Sequence, residues 1–184
     1  AVRPLLADVK IATVKPIQYP ASDGTMIPAY LTLPIGSSEK GHPAIVMPHG
    51  GPASRDEWGF DWWAQFYASQ GFAVLQPNFR GSGGYGNDWY KKNGYQSWRT
   101  AVGDVADAGS WLVAKGIAKK ESLSIVGWSY GGYAALQAAI AVPPVATASR
   151  ASRRQGKRAS SGDSKSSRAV ATRSRGATPD CKRS

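Results

Sequence analysis

The stretch "VGWSYGGYAALQAA", residues 126–139, decides the fold of this 184-residue chain. It places Ser129 between Gly127 and Gly131, where the apolar run "SLSIVGW" meets a run of small residues typical of a helix. A tight turn between strand and helix exposes the serine hydroxyl, and the flanking glycines keep that turn free of bulk. The N-terminus of the following helix directs backbone N–H groups towards developing negative charge. The pattern therefore predicts that Ser129 is a nucleophile.

Strand and helix patterns alternate along the rest of the first 140 residues. The runs "VKIATVKPIQYP" and "MIPAYLTLP" predict an antiparallel pair around the turn "ASDGT", and "PAIVMP", "FAVLQPN" and "SLSIVGW" are typical of buried strands. Helices are predicted over "FDWWAQFYASQG", with Phe60, Trp63, Phe66 and Tyr67 at helical spacing and Gly71 as its C-terminal cap, and over "TAVGDVADAGSWLVAKG", with Val102, Val105, Ala108, Trp111 and Leu112 on one face. This alternation predicts an α/β fold with a mostly parallel sheet flanked by helices.

The basic charge of the chain is concentrated at its C-terminal end. The net charge is +11, yet residues 141–184 alone contain 11 Lys plus Arg against 2 acidic residues. From residue 147 onward this segment has no Leu, Ile, Phe, Trp, Tyr or Met, so it cannot bury enough apolar surface to offset the entropy of ordering. We therefore predict two parts: an α/β domain over residues 1–140 and a disordered Ser/Arg/Ala-rich tail over 141–184.

A second motif, "MPHGGP" at residues 47–52, follows the first of the buried strands. In an α/β-hydrolase the loop at this place donates one backbone N–H to the oxyanion hole, and the residue after the nucleophile donates the other. Those donors would be Gly51 and Tyr130. A glycine–proline turn alone would carry little weight, but its order relative to Ser129 supports the joint interpretation.

Four motifs in order resemble the catalytic α/β-hydrolase domain of the prolyl oligopeptidase family of serine peptidases, nearest its acylaminoacyl-peptidase and dipeptidyl-peptidase-like branch. They are "HGGP", "QGFAVLQPNFRGSGGYG", "DVADAGSWL" and "IVGWSYGGYAAL", and the resemblance covers residues 10–140. It implies peptide substrates, an acyl-enzyme mechanism and no metal or cofactor, with Ser129 as nucleophile, Gly51 and Tyr130 at the oxyanion positions, and His49 and Gly50 in the supporting loop. It also places Arg80 in a loop beside the active site, where we expect the guanidinium to hydrogen-bond loop carbonyls.

The catalytic base for Ser129 is the missing part of the pattern. In this fold the triad acid and histidine follow the serine in the chain, yet the 55 residues after Ser129 contain no histidine. His42, before a proline at the start of a strand, is interpreted as a solvated loop residue. His49 is interpreted as shaping the oxyanion loop, because facing Ser129 as well would require a new geometry.

No acidic residue is expected to complete the triad either. Asp104 and Asp107 are predicted to lie on the solvated face of a helix, and Asp163 and Asp180 lie in the polar tail. The match to the family stops inside the helix after Ser129, and the bias that follows is expected of GC-rich DNA read out of frame. We therefore hypothesise a truncated or frameshifted form of the enzyme, inactive as written. The enzymes that the chain resembles normally carry a β-propeller before the hydrolase domain, and no part of this sequence is expected to form one.

Two other functional classes remain open from the sequence. An esterase would share the nucleophile turn and the oxyanion loop, since esters and peptide bonds are cleaved by the same machinery. A non-catalytic fragment would attract polyanions through its basic tail, although the tail has no aromatic residues to stack on bases, and no specific nucleic-acid binding is expected. No apolar run is long enough to span a membrane. Neither the oligomeric state nor the choice between a cytoplasmic and a periplasmic location follows from the sequence.

Overall fold

A five-stranded sheet with helices on both faces forms the framework of the chain. The computed structural model describes residues 8–93 and 97–141. The strands are β1 (Val14–Pro20), β2 (Met26–Thr32), β3 (His42–Val46), β4 (Ala73–Pro77) and β5 (Ala118–Ile125), and the helices are α1 (Trp62–Ser69), α2 (Asn87–Asn93), α3 (Trp98–Ala114) and α4 (Tyr130–Ala141). The predicted tail lies outside the described residues apart from residue 141, so its disorder remains a prediction.

The sheet is mixed, with strand order β1-β2-β4-β3-β5. The predicted antiparallel pair at the start of the chain is confirmed: β1 pairs with β2 from Val14 opposite Thr32 to Pro20 opposite Met26. β2 then pairs antiparallel with β4, and β3 lies between β4 and β5, parallel to both. The parallel part thus comes from the three strands that alternate with helices, as strand–helix–strand crossovers require.

Side-chain alternation along the central strands divides the core between the two faces of the sheet. Ala44 and Val46 of β3 face the larger cluster, which includes Val105 and Leu112 of α3 and Ala134 and Ala138 of α4. Ile45, Met47 and Val74 instead pack with Ala64 of α1 in a smaller cluster on the other face. Among the described residues, β5, which leads to Ser129, pairs only with β3, and its Leu123 and Ile125 pack against the larger cluster. The prediction of a buried strand was wrong here: apart from Ala118, the residues of β5 are exposed or half-buried, because it lies at the edge of the sheet.

The helix predicted over residues 100–116 is confirmed in type and in buried face. Val102, Val105, Ala108 and Leu112 are all buried, and Trp111 packs against the same cluster. Gly116 follows the helix with φ of +70°, in the left-handed region that ends helices. The 3.6-residue period of the apolar positions predicts the buried face of α3 correctly, because a single stripe of apolar residues faces the sheet.

The interpretation of α1 was correct for the helix but wrong for its buried face. Ala64 and Ala68 are buried against the sheet, whereas Phe60 and Phe66 are exposed. Trp63 and Tyr67 are half-buried and pack at the side of the smaller cluster. Alanine lets the helix axis approach the sheet closely, so the large rings are displaced to the flanks. Gly71, with φ of +89°, follows the end of the helix as predicted.

Asp104 is not on a solvated face, and that prediction was wrong. Asp104 is fully buried. A carboxylate can be buried here because Arg80, 24 positions away in the sequence, provides a charged hydrogen-bond partner inside the protein. Asp107 is half-buried, and its Oδ2 accepts a hydrogen bond of 2.7 Å from the backbone N–H of Ser22. Helix α2 was not predicted. Within residues 8–93 and 97–141, no helix has the length and apolarity needed to cross a bilayer.

Candidate active site

Ser129 occupies a strained turn between β5 and α4. Its φ is +56°, and among the described residues it is the only non-glycine with a positive φ. A serine in this region costs of order 1–3 kcal/mol and persists only where the surroundings over-determine it. The residue therefore holds the conformation that was expected of a nucleophile elbow from the sequence.

Two glycines provide the room that this turn requires. A Cβ atom on Gly127 would lie 2.3 Å from the carbonyl carbon and oxygen of Gly131, and one on Gly131 would lie 2.1 Å from the carbonyl oxygen of Pro48. Both contacts are with backbone atoms, which cannot rotate away. The start of α4 thus packs directly on the loop that follows β3, and only glycine permits this approach.

The loop of the "HGGP" motif lies beside the nucleophile. A Cβ atom built on Gly50 would be 3.5 Å from the Cβ of Ser129 and 3.2 Å from the carbonyl oxygen of Trp128. Gly51 follows with φ of +50°, and its N–H has no acceptor among the described residues. Tyr130, the other oxyanion candidate, is the first residue of α4. The predicted nucleophile and the predicted donor loop therefore meet at the end of β5.

The imidazole of His49 is held between its own loop and the loop that follows β4. Its Nδ1 lies 2.9 Å from the carbonyl oxygen of Gly50, and its Nε2 lies 2.7 Å from the Oγ of Ser82. Burial lowers the pKa of His49, and its contact with the Gly50 carbonyl opposes that shift. Both ring nitrogens thus have partners in the loops that follow β3 and β4. Ser82, whose contact was not predicted, lies within the quoted motif "NFRGSGGYG", but no spacing rule indicates its contact with His49.

Aromatic stacking joins this loop to the elbow. The ring of His49 stacks on Phe79 with 4.3 Å between the ring centroids, and Phe79 also contacts Tyr130 at 5.8 Å. Phe79 is fully buried, so it acts as a fixed wedge between the two segments. The relative position of the donor loop and Ser129 therefore depends on a residue from the loop that follows β4.

Arg80 binds carboxylates rather than the loop carbonyls that were predicted. Its Nη2 and Nε donate to Oδ1 of Asp104 at 2.6 and 3.1 Å, and its Nε and backbone N–H donate to Oδ2 at 3.0 and 2.9 Å. Its Nη1 pairs with Asp23 in the β1–β2 turn. The planar guanidinium prefers paired carboxylate oxygens, which outcompete neutral carbonyl groups. Arg80 therefore makes structural contacts, as expected, but its partners are the carboxylates of Asp104 and Asp23 and not loop carbonyls.

The two carboxylates respond differently to this cation. Burial raises the pKa of Asp104, and the hydrogen bonds from Arg80 oppose that rise. The hydrogen bond from Arg80 instead lowers the pKa of the exposed Asp23 to about 2. Arg80 therefore ties the segment that carries Phe79 both to α3 and to the first hairpin.

A cavity of about 240 Å³ adjoins the elbow on the α1 side of the sheet. Its walls include Gly50, which lies close to Ser129 in space, Trp128, which precedes Ser129 in the chain, and the acidic residues Asp56 and Asp61. Burial raises the pKa of Asp56 to about 7, the charge of Asp61 adds to this rise, and a hydrogen bond from Gln76 opposes it. Asp56 therefore changes protonation close to neutral pH in the folded chain.

The stability of the chain should record this titration. Between about pH 4 and about pH 7, folded Asp56 holds a proton that the unfolded chain releases, so the free energy of unfolding falls as pH rises. A rise in the pKa of Asp56 from 3.8 to about 7 corresponds to about 4 kcal/mol, which partial exposure reduces to about 2 kcal/mol. Asp56→Asn should remove this pH-dependent decrease. The free energy of unfolding of the variant should therefore rise relative to that of the unmodified chain as pH increases. Urea unfolding across this range measures the difference.

Glu121→Gln is the matched control, because it removes one carboxylate from an exposed position of β5. Its free energy of unfolding should follow that of the unmodified chain across the same range. Parallel profiles for Asp56→Asn and the unmodified chain would show that Asp56 ionises normally in the folded state.

Residues 58–145 match the sequence model of the prolyl oligopeptidase family. Dipeptidyl aminopeptidase BIII of Pseudoxanthomonas mexicana is 35% identical over 142 residues, which cover 73% of this chain and 20% of that relative. This chain therefore spans about a fifth of the length of that relative.

Solved structures are similar in fold over the same region. The dipeptidyl peptidase 4 of Porphyromonas gingivalis matches with a TM-score of 0.66 at 25% identity, covering 75% of this chain and 20% of that one. A puromycin-hydrolyzing peptidase of Mycobacterium tuberculosis matches with a TM-score of 0.62 at 29% identity, covering 69% and 20%. The predicted α/β-hydrolase fold is confirmed.

Proposed function

We infer the function from family membership, since this chain belongs to the prolyl oligopeptidase family through its residues 58–145. The proposal is that Ser129 is the nucleophile of a serine peptidase site and that the backbone N–H groups of Gly51 and Tyr130 form its oxyanion hole. The observation that carries it is the positive φ of Ser129 between two glycines that tolerate no Cβ atom. A solvent-exposed linker serine would have no reason to be held in that conformation.

The chemistry proposed for the intact site is acyl transfer from a peptide. The Oγ of Ser129 attacks the scissile carbonyl carbon while a base removes its proton, and the carbonyl oxygen becomes an oxyanion that accepts hydrogen bonds from the two N–H groups. The amine leaves with a proton, and water then hydrolyses the acyl-enzyme. Ser129 and the donor loop provide the nucleophile and the electrostatic stabilisation for these steps.

The second part of the proposal is that no side chain among these 184 residues acts as the catalytic base for Ser129. No histidine follows Ser129 in the sequence. Both ring nitrogens of His49 lie against other partners, and Nε2 of His42 lies 2.6 Å from the carbonyl oxygen of Ser38 on the surface. Loss of the base costs about as much as loss of the serine. We therefore propose that the 184-residue chain cleaves peptides and activated esters too slowly to measure.

A fluorophosphonate probe tests both parts, because it phosphorylates activated serines without requiring a known substrate. At neutral pH we expect no measurable labelling of the chain. Added imidazole, which replaces the missing base, should produce labelling that mass spectrometry maps to Ser129 ahead of every other serine. The physical reason is that, among the serines in residues 8–93 and 97–141, only Ser129 is exposed on a turn with positive φ beside the proposed oxyanion donors.

Ser129→Ala should abolish the imidazole-dependent labelling, whereas Ser110→Ala, at an exposed position of α3, should leave it unchanged. Labelling spread evenly over the serines would refute Ser129 as the nucleophile. Stoichiometric labelling of Ser129 without imidazole would refute the missing base, and His49 would be the first residue to replace.

A further inference from the structure

We propose that the cavity beside the elbow binds an alkylammonium group, with Asp56 and Asp61 supplying the negative charge and Trp62, Trp63 and Trp128 the apolar walls. The site requires no reactivity of Ser129, so it goes beyond the proposed peptidase function and can be tested independently of it. Four observations support it: the charge of the lining, the aromatic rings, the remaining acceptor on Asp61 and the volume.

The charge of the lining favours a cation. Asp56 and Asp61 both line the cavity, and no Lys or Arg does. His49 is the remaining titratable group of the lining, and burial lowers its pKa, which favours the neutral ring. The chain as a whole carries a net charge of +11, so a lining with two acids and no basic side chain departs from its average composition.

The neighbouring charges do not cancel this negative character. Asp61 caps α1, its Oδ1 accepting from the backbone N–H of Ala64 at 2.8 Å, so its second oxygen remains available beyond the cap. Arg55 and Glu57, on either side of Asp56 in the sequence, pair with each other at 2.9 Å on the surface. From β4, the neutral side chain of Gln76 faces Asp56.

The aromatic rings favour an organic cation. Trp128 and Trp62 are 77% and 61% exposed, which is unusual for the largest apolar side chain, and both line the cavity. Trp62 and Trp63 meet edge to face, with 5.1 Å between their ring centroids and 90° between their planes. Among aromatic side chains, Trp makes the strongest contact with a cation, so a lining with three Trp residues favours an organic cation.

The carboxylates of the lining favour a ligand that donates hydrogen bonds. Asp61 accepts through Oδ1 from the backbone N–H of Ala64, so its other oxygen remains an acceptor. An ammonium group brings three N–H donors. A metal ion is disfavoured, because no group of three or more His, Cys, Asp and Glu side chains converges in residues 8–93 and 97–141. The volume of about 240 Å³ is small for a drug-sized ligand but accommodates an alkylammonium group.

Titration with butylammonium chloride tests the site on the full chain at constant ionic strength. Tryptophan fluorescence and the indole N–H resonances should shift saturably below about 100 mM, while 1-butanol, the neutral analogue, should cause no saturable shift. Affinity should rise from about pH 6 to about pH 8, because a cation favours the ionised form of Asp56. Proton release on binding at neutral pH follows from the same coupling.

Two conservative variants separate this site from a general surface effect. Asp56→Asn keeps the backbone hydrogen bonds of residue 56 with Asn78, and Asp61→Asn keeps a helix-capping side chain, so both should fold. Each should weaken butylammonium binding by about tenfold, and Asp56→Asn should also remove the pH dependence. Glu121→Gln should bind as the unmodified chain does.

Three outcomes would overturn the proposal. Equal shifts with 1-butanol would mean an apolar pocket with no charge selectivity. Full displacement of butylammonium by Mg²⁺ at matched ionic strength would mean a metal site. Unchanged affinity in folded Asp56→Asn and Asp61→Asn, verified by their unfolding transitions, would mean binding elsewhere. None of these results depends on whether Ser129 reacts with a fluorophosphonate, so the two proposals fail separately.

Discussion

Replacing Asp104 with alanine is expected to lower the free energy of unfolding by about 3–5 kcal/mol, the range seen when one partner of a buried ion pair is removed. Asp104 is fully buried and the side chain of Arg80 is only 11% exposed, so the guanidinium would lose most of its compensation away from water. The remaining partner, Asp23, is half exposed and cannot replace two buried carboxylate oxygens. Urea unfolding followed by circular dichroism measures the loss.

A double-mutant cycle separates the pair from its surroundings. Arg80→Met should also destabilise the chain, because it leaves the buried Asp104 carboxylate unpaired. The double variant Arg80→Met/Asp104→Leu should lose less than the two single losses combined, since no buried charge remains. Asp107→Ala, at the next acidic position of α3, should cost about 1 kcal/mol for one hydrogen bond. Equal losses for Asp104→Ala and Asp107→Ala would contradict the buried pair.

Replacing Gly131 with alanine is expected to lower the free energy of unfolding by about 3 kcal/mol. This is the second of the two largest effects. Overpacking costs about 1–3 kcal/mol when side chains yield, and here the obstacle is the carbonyl oxygen of Pro48 at 2.1 Å. Alanine favours a helix by about 1 kcal/mol over glycine, so the steric term exceeds the gain. The same displacement separates α4 from the donor loop, and the imidazole-dependent labelling of Ser129 should fall with stability.

Gly103→Ala is the matched control, because Gly103 also lies within a helix but a Cβ atom there meets nothing within 4 Å. Its expected effect is a gain of up to about 1 kcal/mol. The two variants therefore differ in sign although the substitution is the same. A stable Gly131→Ala chain with unchanged unfolding would show that the loop and the helix are not in contact.

The elements that the sequence predicted well are those with a strong local signal. The strand–turn–helix around Ser129 follows from glycine spacing, and the buried face of α3 follows from a single apolar stripe. The hairpin follows from two alternating runs around a turn. In each case the local pattern and the tertiary environment favour the same structure, so a single sequence is sufficient.

The features that sequence reasoning missed depend on partners far away in the chain. The sequence around Asp104 predicts a surface residue, because its partner Arg80 lies 24 positions away and pairs with it only in the folded chain. For the same reason, carbonyl partners were expected for Arg80. The large aromatic residues of α1 suggested that they form its buried face. The helix lies so close to the sheet that the small residues Ala64 and Ala68 are buried there instead. Likewise, no pattern relates Ser82 to His49 across 33 positions.

The wedge of Phe79 between His49 and Tyr130 has a consequence for the order of folding. The three segments that meet there, residues 47–51, 79–82 and 127–131, are distant in sequence, and closing such loops is slow compared with forming helices and hairpins. The positive φ of Ser129 is unfavourable until the segments dock, so the turn cannot nucleate their assembly. We therefore expect the elbow to form late on the folding pathway, after the helices and the first hairpin.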